Sequence, residues 1–302
     1  MLDATHTVSY TKLKSERGFD EALPRLIDIA NENVPVYKRH LDKRSDVEKS
    51  KVNELSASII PSINMGIDAL FNTLRTHYKN RFELCAEEEK LTLDELKNMP
   101  LEQQIALLCA KMTPQNHVYG IRRVDFSNRY EEGFQLHYLS LNMNVSSGNS
   151  KYGKYCVNID LPSSDADIAL KHDSIVHYYN EKNEFDEEAC HGDLIPRIRI
   201  ELLISDKFSD QVASLSVEDI KRVIESDPDP IEIMTTTVIN GDKITAVALS
   251  SDDYDYIMLQ LNIKKASGES LSYKEEEDLQ NFIRLQRELS RRGIRLKRVA
   301  KE

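Results

Sequence analysis

The hydrophobic period of this chain changes part-way along it, and that change limits the folds open to it. In residues 59–78, Ile59, Ile63, Ile67, Leu70, Leu74 and Tyr78 recur at steps of three and four. That spacing lays an apolar stripe along a helix, with Pro61 near its start. An earlier helix is expected over residues 19–33, where Leu23, Leu26, Ile27 and Ala30 share a face. Another opens near Pro100 and carries Leu101, Ile105, Leu108 and Met112. From Leu139 the period falls to two: Leu139, Leu141, Met143 and Val145 alternate with Ser140, Asn142 and Asn144. Tyr155, Val157, Ile159 and Leu161 repeat the pattern, as do Ile198, Ile200, Leu202 and Ile204. Strands with one apolar and one wet face argue for an antiparallel sheet.

The expected fold class is α+β: a helical N-terminal region, a mainly antiparallel sheet with intervening helices, and a C-terminal helix. Asn240-Gly241 between β-rich runs signals a hairpin. Ser163 or Ser164 is read as the cap of a helix whose face carries Ile168, His172, Ile175, Val176 and Tyr179. Residues 272–292 read as the last helix, capped by Gly293. Asp227-Pro228-Asp229-Pro230 reads as a turn or hinge. The expected division is a flexible leader (1–18), a helical region (19–115) and an α+β domain (116–302).

Composition narrows the function classes. With 51 acidic and 40 basic residues the net charge is -11, which opposes long-range attraction to nucleic acid or anionic membrane. Cys85, Cys109, Cys156 and Cys190 form no Cys-x-x-Cys pair and read as buried thiols of a reducing, cytoplasmic compartment. No secretory signal and no membrane-spanning run is read. His-Glu-x-x-His, a P-loop, a glycine-rich dinucleotide motif and Gly-x-Ser-x-Gly are absent, and no metal site is expected.

Against that acidic background the C-terminus is basic. Arg291, Arg292, Arg295, Lys297 and Arg298 are the candidate binding residues, placed to hold an acidic or phosphate-bearing partner. They also complement the dipole of a helix that begins with Glu275, Glu276, Glu277 and Asp278.

Two enzyme families resemble parts of the chain. Arg122-Arg123 and Asp125, then Ser146-Ser147, then Asp186-Glu187-Glu188 resemble the Arg, Ser-Thr-Ser, Glu-x-Glu series of the cholera-toxin-like ADP-ribosyltransferases. That resemblance implies an enzyme using NAD, with Arg123 on the dinucleotide phosphates, Ser147 shaping the pocket and Glu188 beside the ribosyl cation. It places residues 118–125 on a strand. Gly153-Lys154 followed by Asp165 and Asp167 resembles the metal-binding turn of polymerase-β-type nucleotidyltransferases.

With no strong catalytic motif, the leading expectation is a non-enzymatic interaction or regulatory protein without a cofactor, of the kind found in bacterial or phage defence and effector systems. It would use the polar sheet face and the basic C-terminus to engage another protein. Nucleic acid at the basic end and a homo-oligomer are open alternatives. An NAD-using ADP-ribosyltransferase-like enzyme is the second reading and a divergent nucleotidyltransferase the third.

Overall fold

The computed structural model describes residues 22–143, 153–226 and 229–300. Helices α1 (Leu26–Asp42) and α2 (Asp46–Ala57) lead into β1 (Ile60–Met65) and α3 (Ile67–Arg75). A helical group follows: α4 (Arg81–Glu89), α5 (Leu93–Lys97), α6 (Leu101–Ala110) and α7 (His117–Asn128). Next come β2 (His137–Asn142), β3 (Tyr155–Ile159), β4 (Ile168–Leu170), α8 (Glu187–Asp193) and β5 (Leu194–Pro196). The chain continues through α9 (Ile200–Lys207), α10 (Ser209–Val212), α11 (Val217–Ser226), β6 (Glu232–Thr235) and β7 (Ile244–Ser250). After α12 (Ser251–Asp255), a π-helical segment (Tyr256–Leu261) and α13 (Asn262–Ala266), it ends in α14 (Tyr273–Arg292) and β8 (Arg295–Val299).

The eight strands of the described residues form one sheet in the order β5-β4-β6-β2-β1-β3-β7-β8. Every pairing is antiparallel except β7 with β8. The register explains the core. Ile195, Ala169, Ile233 and Leu139 lie side by side across β5, β4, β6 and β2. Ile63, Val157, Val247 and Leu296 do the same across β1, β3, β7 and β8. This apolar face packs under α2, α3, α9 and α14 in the largest core cluster. Leu279, Phe282, Leu285 and Leu289 are the buried stripe of α14, each contributing about 1.5–3 kcal/mol. On the other face, Ile168, Leu170, Leu194 and Met234 pack with Leu26 and Ala30 of α1, Phe126 of α7 and Tyr130 just beyond that helix. A third cluster lies among α4 to α7.

The α+β architecture, α6 and the last helix follow the sequence reading. Ser272 caps α14 in a capping box with Glu275, and Gly293 ends it at φ 69°. The first helix occurs later than expected, at Leu26–Asp42.

Several local expectations are corrected. Residues 59–78 are a strand and a short helix, not one helix. Ile63 fits both periods, since Ile59, Pro61, Ile63 and Met65 also alternate, and Gly66 separates the two elements. Pro61 is tolerated inside the sheet for a geometric reason. It lies opposite Leu141, whose N–H turns away to Ile231. The missing N–H of Pro61 therefore points to the β3 side, where pairing begins only at Ser62.

Residues 198–204 are not a strand: a 3-10 turn (Arg197–Arg199) runs into α9. Ile200, Leu202, Leu203 and Ile204 are all buried, so this helix is apolar around most of its circumference and loses its own period. Asn240-Gly241 makes no hairpin. Asn240 caps a 3-10 turn (Gly241–Lys243) at φ -115°, and β6 pairs with β2 and β4 while β7 pairs with β3 and β8. Gly241 is instead required by close approach, because a Cβ there would stand 2.9 Å from the Leu74 carbonyl oxygen. Residues 168–170 are strand β4, and residues 171–179 form turns and an isolated bridge rather than the helix expected after Ser164. Residues 118–125 lie in helix α7, not on a strand.

The wet sheet face is also corrected. Ser62, Asn142 and Asn158 are buried. Asn142 Nδ2 donates to Ser62 Oγ at 2.5 Å, so these polar side chains are satisfied within the sheet. Asn144, Val145 and Ser147 lie outside the described residues, as do Asp227 and Pro228 of the expected hinge.

Candidate functional site

Helix α14 has two working faces. Its apolar stripe holds the sheet, and Arg284, Arg287 and Arg291 project from the exposed side at steps of three and four. Those steps stack side chains on one helical face over about 10 Å of axis. Helix α3 lies alongside because Leu70, Phe71 and Leu74 are buried in the same core. Its last residue, Arg75, joins the three arginines around a half-open groove of about 610 Å³ that Gln280 and Asn281 also line.

Phe71 organises this groove. The Arg284 guanidinium sits 4.4 Å from its ring centroid and that of Arg75 6.0 Å. A cation held against an aromatic face is attracted by the ring quadrupole and loses freedom before any ligand arrives. Among the described residues, neither Arg75, Arg284 nor Arg287 has a carboxylate within ion-pair distance. Glu288 is the acid in the lining. Its Oε1 lies 2.8 Å from Arg292 Nε and its Oε2 3.9 Å from Arg291. Arg292 thus neutralises the acid, and the groove keeps a local excess of positive charge on a chain of net charge -11. Planar guanidinium groups offer paired donors that match phosphate or carboxylate oxygens.

The five expected cations fall on two elements, α14 and β8. Arg291 lines the groove and Arg292 is paired beside it. Arg295 and Lys297 stand on β8, at the sheet edge, where charge discourages edge-to-edge pairing with another chain. Arg298 is locked to Asp255 at 2.5 Å. The sequence reading missed Arg75 and Phe71, which reach the groove only through tertiary packing.

The residues of the two enzyme resemblances fall elsewhere. Arg123 turns inward from α7, its guanidinium 3.5 Å from the centroid of Tyr138, and Glu188 is exposed in the first turn of α8. Beside Arg123, burial pushes the Glu232 carboxyl up to about 8, Asp173 adds to the rise, and Arg123 opposes it. Asp167 is buried, accepts from Thr235 Oγ1 at 2.7 Å and pairs with Arg197 at 3.3 Å. It is a structural anion. Asp165 is exposed on the same loop. Arg199, in the 3-10 turn, pairs with Glu201 of α9 at 2.8 Å. His172, His177 and Asp229 lie close enough together to share one cation.

All four cysteines are free and buried. Among the described residues no helix is long and apolar enough to cross a membrane. The chain matches no protein-family model, and comparison with curated proteins and with solved structures found no match.

Proposed function

We propose that this protein is a non-catalytic binding module that holds a phosphate-bearing partner in the groove between α3 and α14. The observation that carries the reading is the convergence of Arg75, Arg284, Arg287 and Arg291 on one groove with Phe71 beneath two of them. A guanidinium cluster is the common solution for gripping phosphorylated protein segments. The net charge of -11 opposes a long polyanion, and the stripe spans only about 10 Å, so a phosphorylated segment of another protein fits better than a nucleic acid. An intracellular regulatory role agrees with the buried free thiols.

The test is fluorescence polarisation with a panel of phosphoserine- and phosphotyrosine-containing peptides, their unphosphorylated counterparts, and a single-stranded oligonucleotide. The reading expects some phosphopeptides to bind, their counterparts to fail, and Arg284→Ala with Arg287→Ala to abolish the signal. Tighter binding of the oligonucleotide would turn the assignment to nucleic acid. Binding that survives both substitutions would remove the groove from consideration.

A further inference from the structure

The turn after β4 and the segment before β6 meet at one end of the sheet, far apart in sequence from the arginines of α14. Antiparallel pairing sets Leu170 opposite Glu232, so the residues just beyond, His172 and Asp229, are brought side by side. Asp173 shapes the turn. Its Oδ1 accepts from the N–H groups of Ile175 and Val176 at 2.9 and 3.0 Å, and its carbonyl accepts from His177 N at 2.9 Å. That turn folds the His177 ring back onto His172, with centroids 3.9 Å apart and planes 21° from parallel.

Asp229 is oriented from the other side. Its Oδ1 accepts from Asp173 N at 2.9 Å. Its Oδ2 therefore faces both rings, 2.5 Å from His172 Nδ1 and 3.6 Å from His177 Nδ1. The Lys207 ammonium is nearby but is held on the backbone side by the carbonyl oxygens of Lys171 and Asp229. Two imidazoles and one carboxylate, with the carboxylate pinned by a backbone N–H, have the composition and the outer support of a transition-metal site.

We infer that His172, His177 and Asp229 bind one divalent transition cation of the zinc class, clamping the turn after β4 to the start of β6. The donor atoms already lie within 4.8 Å of one another, and the two nearly parallel rings must tilt so that both planes take in the ion. Tetrahedral zinc ligands stand about 3.3 Å apart. The 3.6 Å separation from His177 is within about 0.3 Å of that. The His172 Nδ1 to Asp229 Oδ2 contact is shorter and must open by about 0.8 Å to admit the metal. His177 is half-exposed, so the fourth position faces solvent and takes water or a group from a partner. Oxygen-only cations are disfavoured, because two of the three donors are imidazole nitrogens.

The test uses the full chain, stripped with chelator, titrated with Zn²⁺ and separately with Co²⁺. Calorimetry and thermal unfolding report binding, and the visible spectrum of Co²⁺ reports its coordination. One equivalent should bind, raise the Tm and give a low-symmetry Co²⁺ spectrum, while Mg²⁺ gives none of these. His177→Ala, at a half-exposed position that should leave the fold intact by circular dichroism, should weaken binding by about tenfold or more. Asp229→Asn should do the same. No binding by the wild-type chain would overturn the inference, because the His172–Asp229 contact would then serve only to pack the turn. So would binding that His177→Ala leaves unchanged, which would place the metal elsewhere.

Discussion

Replacing Arg197 by Met tests how the sheet end at β4 and β5 is held. Arg197 and Asp167 are a buried ion pair, 4% and 1% exposed and 3.3 Å apart. The contact from Nε to Oδ2 lacks hydrogen-bond alignment, so Coulomb attraction is its main term. At that distance and an effective dielectric near 20, the attraction is about 5 kcal/mol. Arg197 Nη2 also donates to the Leu161 carbonyl. Met keeps the aliphatic stem but, among the described residues, leaves Asp167 with the Thr235 hydroxyl and the Ser164 N–H. An uncompensated buried charge typically costs 3–5 kcal/mol, and the loss here should be about that size. Asp167→Asn, which still accepts from Thr235, should recover part of the loss in the double variant, with a coupling energy of about 2 kcal/mol. Urea denaturation followed by far-ultraviolet circular dichroism measures both. A loss under about 1 kcal/mol for Arg197→Met, with no coupling, would refute the reasoning.

Other consequences follow from single residues. The Glu232 carboxyl rises from 4.5 to about 8 on folding, so the native state keeps a proton that the unfolded chain has lost. Its contribution is whole below pH 4.5 and is lost as pH climbs to about 8, roughly 3 kcal/mol by pH 7. Glu232→Gln should flatten that slope when the denaturation curves of the two proteins are compared across this range. Gly241→Ala should cost about 1–3 kcal/mol, because its Cβ would press the Leu74 carbonyl at 2.9 Å; thermal unfolding reads it. Burial raises the thiols of Cys85, Cys109 and Cys156, the last to about 11. A colourless aromatic disulfide reagent at neutral pH should therefore label no described cysteine until denaturant is added.

How much of this could be read from the sequence depends on how many sides of an element are covered. Helix α14 is exposed along one side, so its span and its Gly293 stop were legible. Helix α9 is buried on most sides, and its alternating isoleucines imitated a strand. Strand β1 shares Ile63 between two periods, and only its neighbours β2 and β3 decide between them. Asn142 and Asn158 looked like wet residues because one-sided alternation cannot distinguish solvent from a buried polar partner. The site shows the same limit. The arginines of α14 are visible as local charge, but Arg75 and Phe71 join them across some two hundred residues of chain. His172 and Asp229 likewise meet only through the β4–β6 register.

The central claim is that the groove between α3 and α14 binds phosphate by charge. The most direct measurement is the affinity for a phosphopeptide ligand across a salt series, in the wild type and in the Arg284→Ala, Arg287→Ala double variant. The account predicts that wild-type affinity falls steadily as salt is added, and that the double variant binds weakly with a shallower slope. A wild-type affinity that does not change with salt, or a double variant that keeps the full slope, would contradict it.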